Sequence, residues 1–184
     1  PRQEREGGDF LPLEEVATMA DIITFHTPLD DSTRHLIDDT LIDIIPTNSI
    51  IINASRGAVV DNDALLAAID SGVVECAAVD VWENEPDINL SLLNKVYIAT
   101  PHIAGYSAEG KINATSIVLG EFARYMGYTG ELPVLRLDAP EQPVVKAPTE
   151  AEAHLAIYSP LDDTLILKNA PVSENIPRDR SSNR

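Results

Sequence analysis

The chain has 184 residues, enough for one domain with an appendage, and its hydrophobic fraction of 44% is ordinary for a globular protein. Its 30 acidic residues against 13 basic ones give a net charge of −17, a surface that repels phosphate backbones and argues against nucleic-acid partners. The single cysteine, Cys76, excludes an internal disulfide framework, and no apolar stretch approaches the roughly 20 residues of a membrane span; together these point to the cytoplasm.

In chain order, a polar opening over residues 1–8 leads into residues 11–20, read as a helix with Pro12 near its start and Glu14 and Glu15 in its first turns. Residues 21–26 form a short β-rich run ended by Thr27-Pro28. Residues 39–45 read as helical and stop at Pro46. The β-branched run of residues 49–53 is too short for a helix and reads as a strand buried on both faces. Residues 61–70 have helical spacing and end at Ser71-Gly72, a C-cap. Residues 74–81 give a third strand, 92–94 a turn of helix and 96–100 a fourth strand. Residues 107–126 are a long helix, with Ser107 as N-cap and Gly127 past its end. Such alternation predicts a parallel sheet with helices on its faces, an α/β fold. Beyond residue 128, Pro133, Pro140, Pro143 and Pro148 mark a linker to about residue 150. Residues 155–167 show short apolar runs broken by Pro160, and residues 172–184 are polar. The tail is too short to bury a substantial core alone, so it reads as a docked appendage or an incomplete small domain.

Parallel α/β sheets hold ligands beyond the carboxyl ends of their strands. The four predicted strands release, in turn, His26-Thr27-Pro28, then Ala54-Ser55-Arg56-Gly57, then Trp82-Glu83-Asn84-Glu85-Pro86, then Pro101-His102. An arginine, glutamates and a histidine thus leave one edge of the sheet from successive strands. That set suits oxidation of a 2-hydroxy acid. Histidine can take the hydroxyl proton near neutral pH, and a carboxylate such as Glu85 would orient the ring and favour its charged form. Arginine can hold a substrate carboxylate through paired donors. Each residue alone has a plainer reading: His102 as a structural hydrogen bonder, Arg56-Gly57 as a turn, Glu85-Pro86 as a strand end. His35 and His154 read as surface residues, Asp61, Asp63 and Asp70 as a cap and a solvated face, Cys76 as an inert buried thiol and Trp82 as packing. No paired His or Cys ligands stand at metal-binding spacing.

These residues carry a resemblance. Asn53-Ala54-Ser55-Arg56-Gly57 resembles the Asn-x-x-Arg-Gly signature of D-2-hydroxyacid dehydrogenases, Asp80-Val81-Trp82-Glu83-Asn84-Glu85-Pro86 their Asp-Val-aromatic-x-x-Glu-Pro segment, and Thr100-Pro101-His102 their Thr-Pro-His block. The three stand in family order and spacing, and the likeness covers roughly Gly8 to Gly127. It implies the C-terminal part of a Rossmann-like doubly wound sheet over residues 1–127, a linker over 128–150, and a partial α+β dimerisation segment over 151–184. It also implies NAD as cofactor and a homodimer joined through the C-terminal region. Arg56 would bind and polarise the substrate, Glu85 would support His102, and His102 would be the acid–base. Asp80 would meet the nicotinamide carboxamide, while Thr27, the Ala54-Ser55-Arg56 backbone and Gly105 would line the cofactor. Tyr106 would reach the substrate; its plainer reading is an aromatic packed at the helix start. The run from His102 to Lys111, and that from Thr24 to Leu29, are similar to the members of the family that oxidise 4-phosphoerythronate, a small phosphorylated 2-hydroxy acid, on a route to pyridoxal phosphate.

The family's Gly-x-Gly-x-x-Gly phosphate loop, the acidic residue after it and the N-terminal substrate domain have no counterpart; Gly7-Gly8 follows no strand. A partial chain is therefore expected, one that alone binds NAD weakly or not at all and does not turn over. Two other readings stand beside the first: a phosphoglycerate or glycerate dehydrogenase, and a non-catalytic NAD-binding dimerisation module. The intact Arg56 and His102 and the 102–111 run favour the first.

Overall fold

A computed structural model describes residues 10–137 and 144–170. Gly7-Gly8, Pro140, Pro143 and the polar stretch 172–184 lie outside these residues. Strands β1 (Ile22–Phe25), β2 (Ser49–Asn53), β3 (Val74–Val79) and β4 (Ile98–Ala99) form one parallel sheet in that order. Ile23 pairs with Ile51 and Ile51 with Ala77 in one apolar row across three strands, and two residues further along Val79 pairs with Ala99 of β4. The helices are α1 (Leu13–Ala17), α2 (Asp39–Ile42), α3 (Asn62–Ser71), α4 (Leu90–Lys95), α5 (Ala108–Tyr125), α6 (Glu150–Ile157) and α7 (Pro160–Asn169). The first four alternate with the strands, and the α/β expectation holds.

Local chemistry explains the boundaries. Asp38, Asp61 and Asn89 each accept backbone N–H bonds in the first turn of the helix that follows, and Gly72 at φ 78° ends α3 in the left-handed conformation. The Asn89 cap extends the predicted turn at 92–94 into the six residues of α4. The predicted helix over 11–20 shortens to α1, because the chain must turn at Thr18 to enter β1; that hydroxyl donates to the Glu15 carbonyl. Ile51, Leu65, Leu92, Val79 and Val96 are almost fully buried in one core. Each such Leu or Ile contributes about 1.5–3 kcal/mol.

Contacts divide the described residues into two compact units: those up to His102 together with those from Pro160 onward, and those from 103 to 159. In the first, α7 lies along β4. Thr164 Oγ1 accepts the Ala99 N–H (2.9 Å) and donates to the Pro160 carbonyl (2.8 Å), Lys168 Nζ donates to the Val96 carbonyl (2.7 Å), and Leu167 joins the core. In the second, Ser107 caps α5 by accepting the Gly110 N–H, as expected. The Thr149 hydroxyl caps α6 by accepting the Glu152 N–H (3.2 Å) and donates to the Glu152 carboxylate (2.8 Å). The stretch expected to hold only short broken runs is thus helical on both sides of Pro160. A proline at the first helical position costs no hydrogen bond. Among the described residues, no helix is long and apolar enough to cross a membrane. Cys76 is half-buried in β3, and burial pushes its thiol pKa up, with Glu75 adding to the effect.

Candidate active site

The carboxyl ends of the strands gather the segments that carry ionisable residues. Asn53, at the end of β2 and 1% exposed, organises the first of them. Its Oδ1 accepts both the Ser55 N–H (3.1 Å) and the Ser55 hydroxyl (2.9 Å), while its Nδ2 donates to the Arg56 carbonyl (3.1 Å). A buried asparagine satisfied on both sides fixes a short loop more firmly than packing could. The exposed Arg56 side chain folds back on that loop, with Nη1 donating to the Ser55 carbonyl at 2.6 Å. Gly57 then passes directly over the next loop: a Cβ there would stand 2.0 Å from the Trp82 carbonyl oxygen. Only glycine permits that approach.

The loop after β3 is held from both ends. Trp82 is buried, as expected, and its Nε1 donates to the Thr100 carbonyl (3.1 Å), two residues before His102. Its backbone N–H donates to Glu85 Oε1 (2.7 Å). The other carboxylate oxygen, Glu85 Oε2, lies 2.8 Å from His102 Nδ1. Nδ1 therefore points at the carboxylate, leaving Nε2 as the ring atom available to exchange a proton. The His102 backbone is left-handed, at φ 54°, and its N–H donates to the Asp80 carbonyl (2.8 Å). Histidine is among the few side chains that tolerate this conformation, which here turns the chain sharply away from β4.

Asp80 ties the neighbouring strand ends together. Its N–H donates to the Asn53 carbonyl (2.9 Å), and its largely buried carboxylate accepts the Thr100 hydroxyl at 2.5 Å. Among the described residues, Thr27 Oγ1 is the buried side-chain polar atom without a hydrogen-bond partner. The Ser55 hydroxyl is taken by Asn53, so that residue offers a ligand its backbone, while Ala54 is exposed. In the other unit, Gly105 takes φ 76°, and Tyr106 is 59% exposed rather than packed, with Lys111 Nζ 3.7 Å from its ring centroid. Glu85 and His102 are thus brought into contact. No hydrogen bond or ion pair joins Arg56 to either; its loop meets theirs through Gly57. No group of three His, Cys, Asp or Glu side chains among the described residues is placed to hold a metal.

The expectation for His35 is corrected. Instead of standing free on the surface it is half-buried, with Nε2 2.7 Å from Glu83 Oε1 and Nδ1 3.4 Å from Asp61 Oδ2. Its hydrogen bond to the Glu83 carboxylate raises its pKa above the ordinary histidine value. Partial burial opposes the rise, and so does Arg34, while the charges of Glu83 and Asp61 add to it. His154 is exposed, as expected, and faces Glu150 one turn earlier. His35 escaped the sequence reading as a contributor to this edge, and Asn53, Gly57 and Glu83 stood in the quoted segments without an assigned role. The partners of His35, Glu83 and Gly57 come from segments far away in sequence, whereas Asn53 bonds its near neighbours Ser55 and Arg56.

Comparison with known proteins places this geometry. The family described as D-isomer specific 2-hydroxyacid dehydrogenase, NAD binding domain, matches residues 1–104. An erythronate-4-phosphate dehydrogenase of Bacteroides thetaiotaomicron is 43% identical over 176 residues, 93% of this chain and 50% of the relative. One from Serratia proteamaculans is 39% identical over 184 residues, 97% of this chain and 47% of the relative. The chain spans about half the length of the curated relatives it matches. Among solved structures, a D-mandelate dehydrogenase of Rhodotorula graminis matches with TM-score 0.59 at 33% identity, over 62% of this chain and 33% of its own. A D-lactate dehydrogenase of Aquifex aeolicus, solved with NAD and lactic acid, matches with TM-score 0.58 at 28% identity, over 69% of this chain and 44% of its own. With its parallel sheet, its three signature segments and a family match over more than half its length, the chain belongs to the D-isomer specific 2-hydroxyacid dehydrogenases.

Proposed function

We propose that this chain supplies the acid–base half of an NAD-dependent dehydrogenase that oxidises 4-phospho-D-erythronate to 2-oxo-3-hydroxy-4-phosphobutanoate, a step toward pyridoxal phosphate. The observation that carries the reading is the 2.8 Å pairing of His102 Nδ1 with Glu85 Oε2 at the carboxyl edge of a parallel sheet. The relatives named erythronate-4-phosphate dehydrogenase support the choice of substrate.

In this reading His102 Nε2 removes the proton of the substrate hydroxyl, and Glu85 stabilises the resulting imidazolium and holds the ring in place. Arg56 exchanges its bond to the Ser55 carbonyl for the substrate carboxylate, which it clamps through paired donors. When bound, NAD supplies the nicotinamide that takes up the hydride leaving the same carbon. Thr27, Ala54, Ser55, Arg56, Asp80 and Gly105 are the residues that would hold it. The unpartnered Thr27 hydroxyl and the buried Asp80 carboxylate suit that role, as a donor or acceptor awaiting a ligand and an acceptor for an amide. Tyr106 would bind the substrate at its phosphate end. Residues 1–127 belong to the NAD-binding domain, 128–150 link it onward, and 151–184 form part of a segment through which two copies of the cytoplasmic enzyme pair.

The test is NADH formation by the full-length protein with 4-phosphoerythronate against 3-phosphoglycerate. Preference for the first, with a loss on the order of 10²–10⁴-fold in kcat on His102→Asn, is expected. Equal turnover of both substrates, or an undiminished His102→Asn variant, would reject the reading.

A further inference from the structure

The loop between β3 and α4 carries two glutamates two residues apart, and each is paired with a histidine. Glu85 faces His102, while Glu83 faces His35, 48 residues earlier in the chain. Asn84 between them is left-handed, at φ 58°, a conformation asparagine tolerates. Glu83 is anchored more heavily than its partner requires. Its Oε1 meets His35 Nε2 at 2.7 Å, its Oε2 accepts the Asn62 N–H in the first turn of α3 at 3.1 Å, and its own N–H donates to Asn62 Oδ1 at 3.3 Å. Asn62 is itself buried, with Nδ2 bonded to the Val60 carbonyl. A carboxylate at a helix N-terminus that also meets an imidazole is favoured twice over.

We propose that Glu83 is a positioning residue: clamped between His35 and the start of α3, it holds the Trp82–Glu85 loop so that the Glu85 carboxylate stays on His102 Nδ1. It touches neither His102 nor Glu85 and acts through the loop they share. At its His35 end the clamp is a hydrogen bond that favours the protonated ring, with Glu83 and Asp61 facing it and Arg34 opposing them.

The proposal has a readout that needs neither cofactor nor substrate. The hydrogen bond made at one ring nitrogen fixes which nitrogen carries the proton. In the neutral ring, a held Glu85 keeps His102 as the Nδ1–H tautomer. Proton–nitrogen correlation spectra of the full chain distinguish the two tautomers. Glu83→Ala is expected to shift His102 from Nδ1–H to a mixture with Nε2–H, and Glu83→Gln, which keeps an acceptor for the Asn62 N–H, to restore part of the wild-type signal. A merely structural Glu83 would lower the melting temperature and leave the tautomer unchanged, which overturns the proposal. Should Glu83→Ala fail to fold, Glu83→Gln and His35→Ala both weaken the His35 side of the clamp. A wild-type tautomer in both would then overturn it. Because the measurement precedes any chemistry, a protein that proves inactive on 4-phosphoerythronate leaves its outcome standing.

Discussion

Gly57 and Trp82 belong to different loops, yet a methyl group on the first would lie 2.0 Å from the carbonyl oxygen of the second. The loop bearing Arg56 and the loop bearing Glu85 are therefore separated by backbone alone. Gly57→Ala must push one of them away, and because the obstacle is a carbonyl, no side-chain rotation relieves it. A loss on the order of 3 kcal/mol in stability is expected from urea unfolding. An unchanged midpoint would mean that the two loops can part freely.

Thr27→Val tests the cofactor assignment from the opposite direction. Its hydroxyl is buried without a partner, so replacing it by a methyl group should leave the free protein as stable, or more stable by up to about 1 kcal/mol. If the hydroxyl bonds NAD, the same change weakens binding roughly three- to tenfold in a fluorescence titration. A destabilised variant with unaltered NAD affinity contradicts both halves.

Folding raises the His35 pKa, so the folded chain holds that proton more tightly than the unfolded one. The stability this adds is complete below the ordinary histidine value of 6.5 and disappears as the pH rises from there through the folded pKa. His35→Asn removes it. The stability difference between wild type and variant should therefore narrow as pH is raised above neutral, and with the side chain 38% exposed the effect is screened by added salt. A difference that widens with pH would contradict the assignment.

Thr164→Val keeps the shape of a buried side chain and deletes the acceptor of the Ala99 N–H. An amide left buried without a partner costs about 1–3 kcal/mol. Faster hydrogen exchange at Ala99, with exchange at Ile51 in the sheet centre little changed, is the expected signature.

How far the fold could be read in advance follows from where each element's stabilisation lies. Residues 49–53 announce β2, because a β-branched run this short has no other stable form. Asp61 and Gly72 mark the two ends of α3 by their own cap chemistry. By contrast, α7 buries Asp163, Thr164 and Leu167, mostly polar residues, with Thr164 bonded to the distant strand β4, so no apolar stripe reveals it. β4 shrinks to two residues for a related reason: Val96 serves as the C-cap of α4 and its carbonyl is taken by Lys168. At the site, the strand-end rule was enough to collect Arg56, Glu85 and His102 on one edge. The rule does not extend to His35, whose carboxylate partner is 48 residues away and visible only in three dimensions.

The seat of α7 on β4 also governs when the site can exist. Thr164, which completes the hydrogen bonding of the strand leading to His102, follows Ala99 by 65 residues. During synthesis His102 leaves the ribosome well before the helix that secures its strand. Until α7 docks, the Ala99 N–H on this outer edge of the sheet lacks its acceptor, so the hydrogen bonding of the strand that leads to His102 is completed only after α7 is made.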